Sequence, residues 1–236
     1  MIRPFRSAIL ATTLLAGLGV SSVACAQSPA GHNDPLEPVN RGFFALNEAL
    51  DTVIVKPVAT IWNTVLPKPV RTGVTNVFSN LDDAFIGANH LLQGRGKDAM
   101  TDFSRFLINT TVGVGGLIDV ASTQNLPKGE GDFGQTLGVW GAEPGFYMVL
   151  PLLGPSSARD TVGRAARIAS DPRTYLVDAW SYGLTGLEFV QIKADNLDNA
   201  NLIDTSSLDK YAFTRNLYLQ RRAAVVQSGR EAAGAR

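Results

Sequence analysis

Residues 70–92 repeat apolar side chains at a helical period too regular to fold as anything but a helix. Val70, Val74, Val77, Leu81, Phe85, Ala88 and Leu92 fall in one narrow arc, while Arg71, Thr75, Ser79, Asp82, Asp83 and His90 lie opposite. Only Ile86 breaks the pattern, and Gly94 ends it as a C-terminal glycine does. Such an arc usually packs into a core, which leaves Asp83 and His90 on a solvated face; the alternative is that it lies at a bilayer surface, as monotopic helices do. A second helix reads through Ala99, Met100, Phe103, Phe106 and Leu107, with Thr101, Asp102, Arg105 and Asn109 on its other side. The glycines at 113–116 close it.

The remaining signals are also helical. Asp34-Pro35 reads as an N-cap with proline at the first helical position, opening a helix that carries Phe43, Phe44, Leu46 and Leu50. Pro57, Pro67 and Pro69 break the following chain into short pieces. Residues 122–134 are polar and glycine-containing, as in a loop or hairpin. Residues 146–153 are strongly apolar, yet too few to span a bilayer and interrupted by Pro151. Ser157 with Asp160 three positions later resembles a capping box with Asp in place of Glu. Further helices are expected over 172–203 and 207–226. No internal repeat and no useful β alternation is present, so the predicted class is mainly α.

The N-terminus carries an export signal over residues 1–25. Arg3 and Arg6 form its positive region, and residues 9–20 its short apolar one. Two processing routes fit the residues. Ser22-Val23-Ala24-Cys25 looks like a lipobox that acylates Cys25, although Ser22 stands where Leu is usual. Ala24-Cys25-Ala26 also fits ordinary signal peptidase, which would discard the chain's one cysteine. Residues 26–33 read as a flexible tether, 34–226 as the helical domain, and 227–236 as a disordered tail.

Composition excludes several functions. Lys+Arg 21 against Asp+Glu 21 gives no basic surplus for nucleic acid. One Cys and two His leave no thiolate or histidine metal site. There is no G-x-S-x-G elbow or H-E-x-x-H pair. Gly113-Val114-Gly115-Gly116 follows a helix rather than a strand, so it reads as a helix-ending loop and not a phosphate cradle. Asp132-Phe133-Gly134 matches a kinase tripeptide without its companions. His90 reads as a solvated helix residue. Tyr211, Arg215, Tyr218 and Arg222 form one stripe at spacings of four, three and four; it reads as helix packing with Arg snorkelling, cation–π contacts being the alternative.

An ordered string of motifs resembles the MlaA (VacJ) family of outer-membrane proteins. It comprises Asp34-Pro35-Leu36-Glu37, Asn40-Arg41, Val55-Lys56-Pro57-Val58-Ala59, Leu92-Gln93-Gly94, Arg105-Phe106, Asn109-Thr110, Ile118-Asp119-Val120-Ala121, Thr136-Leu137-Gly138, Leu150-Pro151, Arg159-Asp160 and Tyr218 with Gln220-Arg221. The irregular lipobox departs from the family, and residues 171–202 match weakly. The resemblance implies a ring of amphipathic helices in one leaflet of the outer membrane, with no transmembrane span. A central channel would let phospholipid leave the outer leaflet. A trimeric porin would stand beside it, and the periplasmic carrier MlaC would receive the lipid. No cofactor and no bond-breaking chemistry are implied, and the family's usual lipidation tips Cys25 toward acylation. Arg41, Phe43, Phe44 and Asn47 are then candidates for controlling lipid entry, and Arg159, Asp160 and Arg164 for lining the channel. Two other classes stay open: a periplasmic scaffolding lipoprotein without transport activity, and a lipid hydrolase, which would need a nucleophile and base.

Overall fold

The computed structural model describes residues 34–175, 178–197 and 209–234. The signal peptide, Cys25 and the 26–33 tether lie outside them. Helix α1 spans Glu37–Leu50, with Leu36 at its N-cap position rather than Asp34, Pro38 rather than Pro35 in its first turn, and Glu37 near its positive end. It runs through a π-helical turn, Asp51–Val55, straight into α2, Lys56–Val65. Pro57 therefore does not end the helix: the π-turn shifts the pairing to Lys56 N–Asp51 O just before the ring that cannot donate. Pro67 does break the chain, as the extended residue before α3, Lys68–Leu92. Helix α4, Gly96–Thr111, packs along α3.

The glycine run after α4 makes a tight turn. A Cβ on Gly113 would stand 2.2 Å from the Ile118 carbonyl, and Gly116 has φ +90° against Asn80. Short helices follow, α5 at Val120–Thr123 and α6 at Phe133–Val139. Next comes an antiparallel hairpin that the sequence does not signal: β1, Tyr147–Leu150, pairs with β2, Gly154–Ser157. Four-residue strands are too short for a period-two pattern to register. Its turn is set by backbone at φ +63° for Leu152 and +75° for Gly154. Helix α7 is Ala158–Ser170, α8 is Asp178–Asp195 after a 3₁₀ turn at Pro172–Tyr175, and α9 is Lys210–Ala232. The tail expected at 227–236 is thus helical to Ala232. Gly229 packs so closely on Val139 that a Cβ would approach to 2.9 Å, and Arg230 donates to the Gly138 carbonyl at 2.7 Å.

Mainly helical as expected, the fold nevertheless reverses the faces of its helices. On α3 the buried residues are Gly73, Phe78, Asn80, Asp83, Ile86, Gly87 and His90. Val70, Leu81 and Leu92 of the apolar arc are exposed. On α4, Ala99, Asp102, Arg105 and Asn109 are buried, whereas Met100 and Leu107 are 67% and 59% exposed. His90, read as solvated, is 1% exposed. Ile86, the exception to the apolar arc, faces inward. The largest fully buried side chains are Arg105, His90, Gln135, Asn40, Thr136, Asp83 and Asp102, all polar. No helix among the described residues is long and apolar enough to cross a membrane.

Candidate functional site

Helices α3, α6, α7 and α9 surround a cavity of about 620 Å³, within the range of small-molecule sites. Phe85, Ile86, Pro155 and Val225 give it apolar wall; Asp82, Asp132, Asp160, Arg164, Arg167 and Arg222 give it charge. Two helix N-termini set the acidic side. Asp132 caps α6 by accepting from Gln135 N at 2.8 Å, and Ser157 caps α7 by accepting from Asp160 N at 3.2 Å. α6 and α7 approach most closely at two glycines, since a Cβ on Gly163 would lie 2.4 Å from the Gly134 nitrogen.

Arg222, on α9, joins these caps. Its Nη1 donates to Asp132 at 2.6 Å and its Nε to Asp160 at 2.8 Å. Asp160 also accepts from Arg159 Nε at 3.0 Å and from the Tyr218 hydroxyl. Burial pushes the Asp160 carboxyl up, but Arg222, Tyr218 and Arg159 together hold it below the usual carboxylate range. Burial and the bond to Asp160 both push the Tyr218 phenol upward, so it stays a donor.

A second buried network lies between α3 and α4. Arg105 reaches Asp83 at 3.3 Å, Asp119 at 3.1 Å and the Leu126 carbonyl at 2.6 Å. Burial raises the Asp83 carboxyl more than Lys128 and Arg105 lower it. Burial likewise opposes ionisation of Asp119, yet bonds from Ser122, Asn109 and Arg105 bring it down to about 2. His90 Nδ1 lies 2.6 Å from Asp102 Oδ2, and its Nε2 lies 3.2 Å from the Glu130 carbonyl. Both ring nitrogens are thus engaged within the fold.

The sequence candidates separate. Asp160 and Arg164 reach the cavity wall, whereas Arg159 is buried behind Asp160 and turned toward the Ala142 carbonyl at 3.4 Å. Asp160 does not pair with Arg164, as a surface capping pattern would have it; Arg164 donates to the carbonyls of Leu153 and Pro155. The α1 candidates lie elsewhere and do not form one cluster. Arg41 pairs with Asp209 at 2.9 Å and Glu37 at 2.8 Å and stacks over Tyr211 at 4.5 Å. Phe44 meets Tyr211 edge-on at 5.7 Å beside Tyr147 and Val149, while Phe43 points outward. Asn47 bonds the hairpin backbone at Leu150 O and Leu152 N. The candidate set omits Tyr218, Arg222 and Asp132. The first two belong to the stripe Tyr211, Arg215, Tyr218 and Arg222, whose spacing was the legible signal; Arg222 does not snorkel outward but turns in to Asp132 and Asp160.

Fold and site define a class: a helical protein with charge and amide groups inside, apolar side chains outside, and a cavity that joins both chemistries. Residues 32–225 match the family described as MlaA lipoprotein, and the chain belongs to that family. The intermembrane phospholipid transport system lipoprotein MlaA of Shigella flexneri is 37% identical over 224 residues, covering 93% of this chain and 87% of that protein. Its counterpart of the same name in Haemophilus influenzae is 34% identical over 203 residues, covering 84% and 81%. A chain solved in work on the structural basis for maintenance of bacterial outer membrane lipid asymmetry is 37% identical. It superposes with a TM-score of 0.73 over 82% of this chain and 99% of its own.

Proposed function

We propose that this protein carries phospholipid out of the outer leaflet of the outer membrane, through the α3–α6–α7–α9 cavity, toward a periplasmic carrier of the MlaC kind. The observation that supports this most is the inverted burial of α3 and α4. A helix pair that hides Asp83, His90, Asp102 and Arg105 while exposing Leu81, Leu92, Met100 and Leu107 is suited to an apolar surrounding medium. The cavity's mixture of Phe85, Ile86 and Val225 with Arg and Asp side chains matches an amphiphile, which brings acyl chains and a charged headgroup together. Helices lying in one leaflet as a ring, a trimeric porin beside them, an acylated Cys25, and α1 with Arg41, Phe43, Phe44 and Asn47 near the lipid entrance complete the reading. The relatives' names, which specify intermembrane phospholipid transport, support the substrate class.

Purification of the full chain from its envelope in mild detergent tests it. Intact phospholipid and a trimeric porin are expected to co-purify. Free fatty acid in place of intact lipid would indicate a hydrolase, and a lipid-free, porin-free protein would indicate a scaffold.

A further inference from the structure

Four arginines line the cavity, and they differ in what already neutralises them. Arg222 is shared by Asp132 and Asp160. Arg167 pairs with Asp82 at 2.5 Å and lies 3.5 Å over the Phe85 ring. Arg221 is largely exposed and sits 3.7 Å from Glu130. Arg164 has no carboxylate partner among the described residues. Its Nη1 donates to the Leu153 carbonyl at 2.8 Å and its Nη2 to the Pro155 carbonyl at 2.9 Å. Those two bonds fix the guanidinium plane at the cavity wall without cancelling its charge. Its remaining N–H groups keep the planar fork that suits a tetrahedral oxyanion.

We infer that Arg164 is the residue that holds the phosphodiester of a lipid headgroup in this cavity. The inference rests on the lipid-carrying reading and deepens it to a single headgroup contact. A phosphodiester carries one negative charge and no more, which matches one uncompensated guanidinium. Phe85, Ile86 and Val225 line the same space and supply apolar wall for the part of the lipid beyond its headgroup. A lipid lacking phosphate would leave Arg164 facing an uncharged ligand and gain nothing from it.

The test uses the full chain in non-ionic micelles, titrated by calorimetry with three probes: dihexanoyl phosphatidylglycerol, dihexanoylglycerol and inorganic phosphate. The unsubstituted protein is expected to favour the phospholipid over dihexanoylglycerol by about tenfold or more. That comparison needs no variant to fold. Arg164→Gln should remove this preference, leaving dihexanoylglycerol binding unchanged. Arg164→Lys should retain part of it, and Lys97→Gln, on the exposed first turn of α4 outside the cavity, should change it less than about twofold. Retained preference in a folded Arg164→Gln protein would overturn the inference while leaving lipid carriage standing. Inorganic phosphate binding as tightly as the phospholipid would also overturn it, by making this a free-phosphate site. If neither lipid binds the unsubstituted protein, the lipid-carrying reading fails together with it.

Discussion

Asp160 ties α7 to α9 through Arg222 and Tyr218, and it does so with its side chain almost completely buried. A buried carboxylate in this position is costly to remove, because Arg159 would lose its carboxylate and Arg222 would keep Asp132 as its counterion but lose Asp160. Asp160→Ala is therefore expected to lower stability by about 3–5 kcal/mol, the usual result of breaking a buried pair from one side. Ser157→Ala touches only the cap and should cost about 1 kcal/mol. Thermal unfolding of both variants in detergent checks the ordering, and equal small losses would show that Asp160 is a surface cap. The local half of this arrangement was legible: Ser157 three residues before Asp160 announces a helix start, and that cap forms. The other half was not, since Arg222 lies 62 residues further on and nothing in the local spacing says that Asp160 turns toward it.

Among the elements, the α1–hairpin contact shows how side chains finish a sheet edge. Asn40 donates to the Tyr147 carbonyl at 3.1 Å and accepts from Val149 N at 2.9 Å. Asn47 repeats the pattern at Leu150 O and Leu152 N, at 2.9 and 2.7 Å. Seven helical residues advance about 10.5 Å, and three strand residues advance about 10 Å, so two amides on one helix face fall in step with the strand. Asn40→Ala should cost about 1–3 kcal/mol, because it leaves a buried donor and acceptor unpaired. Amide hydrogen exchange gives the sharper reading: Val149 should speed up in Asn40→Ala and Leu152 in Asn47→Ala. Unchanged protection at both would mean the hairpin holds without these clamps. The hairpin escaped the sequence because each strand has only four residues, and the free edge of β1 is bonded by asparagines more than a hundred residues earlier. Asn47, expected on sequence grounds to serve lipid entry, is held by this backbone work; any effect on entry would act through the hairpin.

For the whole molecule, the arcs of α3 and α4 were legible and their direction was not. Periodicity separates two faces but carries no label for the medium each one meets, and the ordinary assumption of water outside assigns them backwards. The same inversion makes the interior depend on ionised carboxylates. Asp119 ionises near 2, and Asp160 and Asp171 also lie below their ordinary values, each because arginine and hydrogen-bond donors outweigh burial. An acid of this kind binds fewer protons folded than unfolded. Its contribution is complete above the unfolded value of about 4 and is lost as pH falls through the folded one. Asp83 acts in the opposite sense, since its raised value means that protonation relieves a buried charge. Thermal stability in micelles should therefore hold, or rise slightly, as pH drops toward about 4, then fall steeply between about 4 and 2. Added salt should change this profile little, because interior pairs are poorly screened. A melting temperature unchanged down to pH 2 would mean that the buried carboxylates are not what holds these helices together.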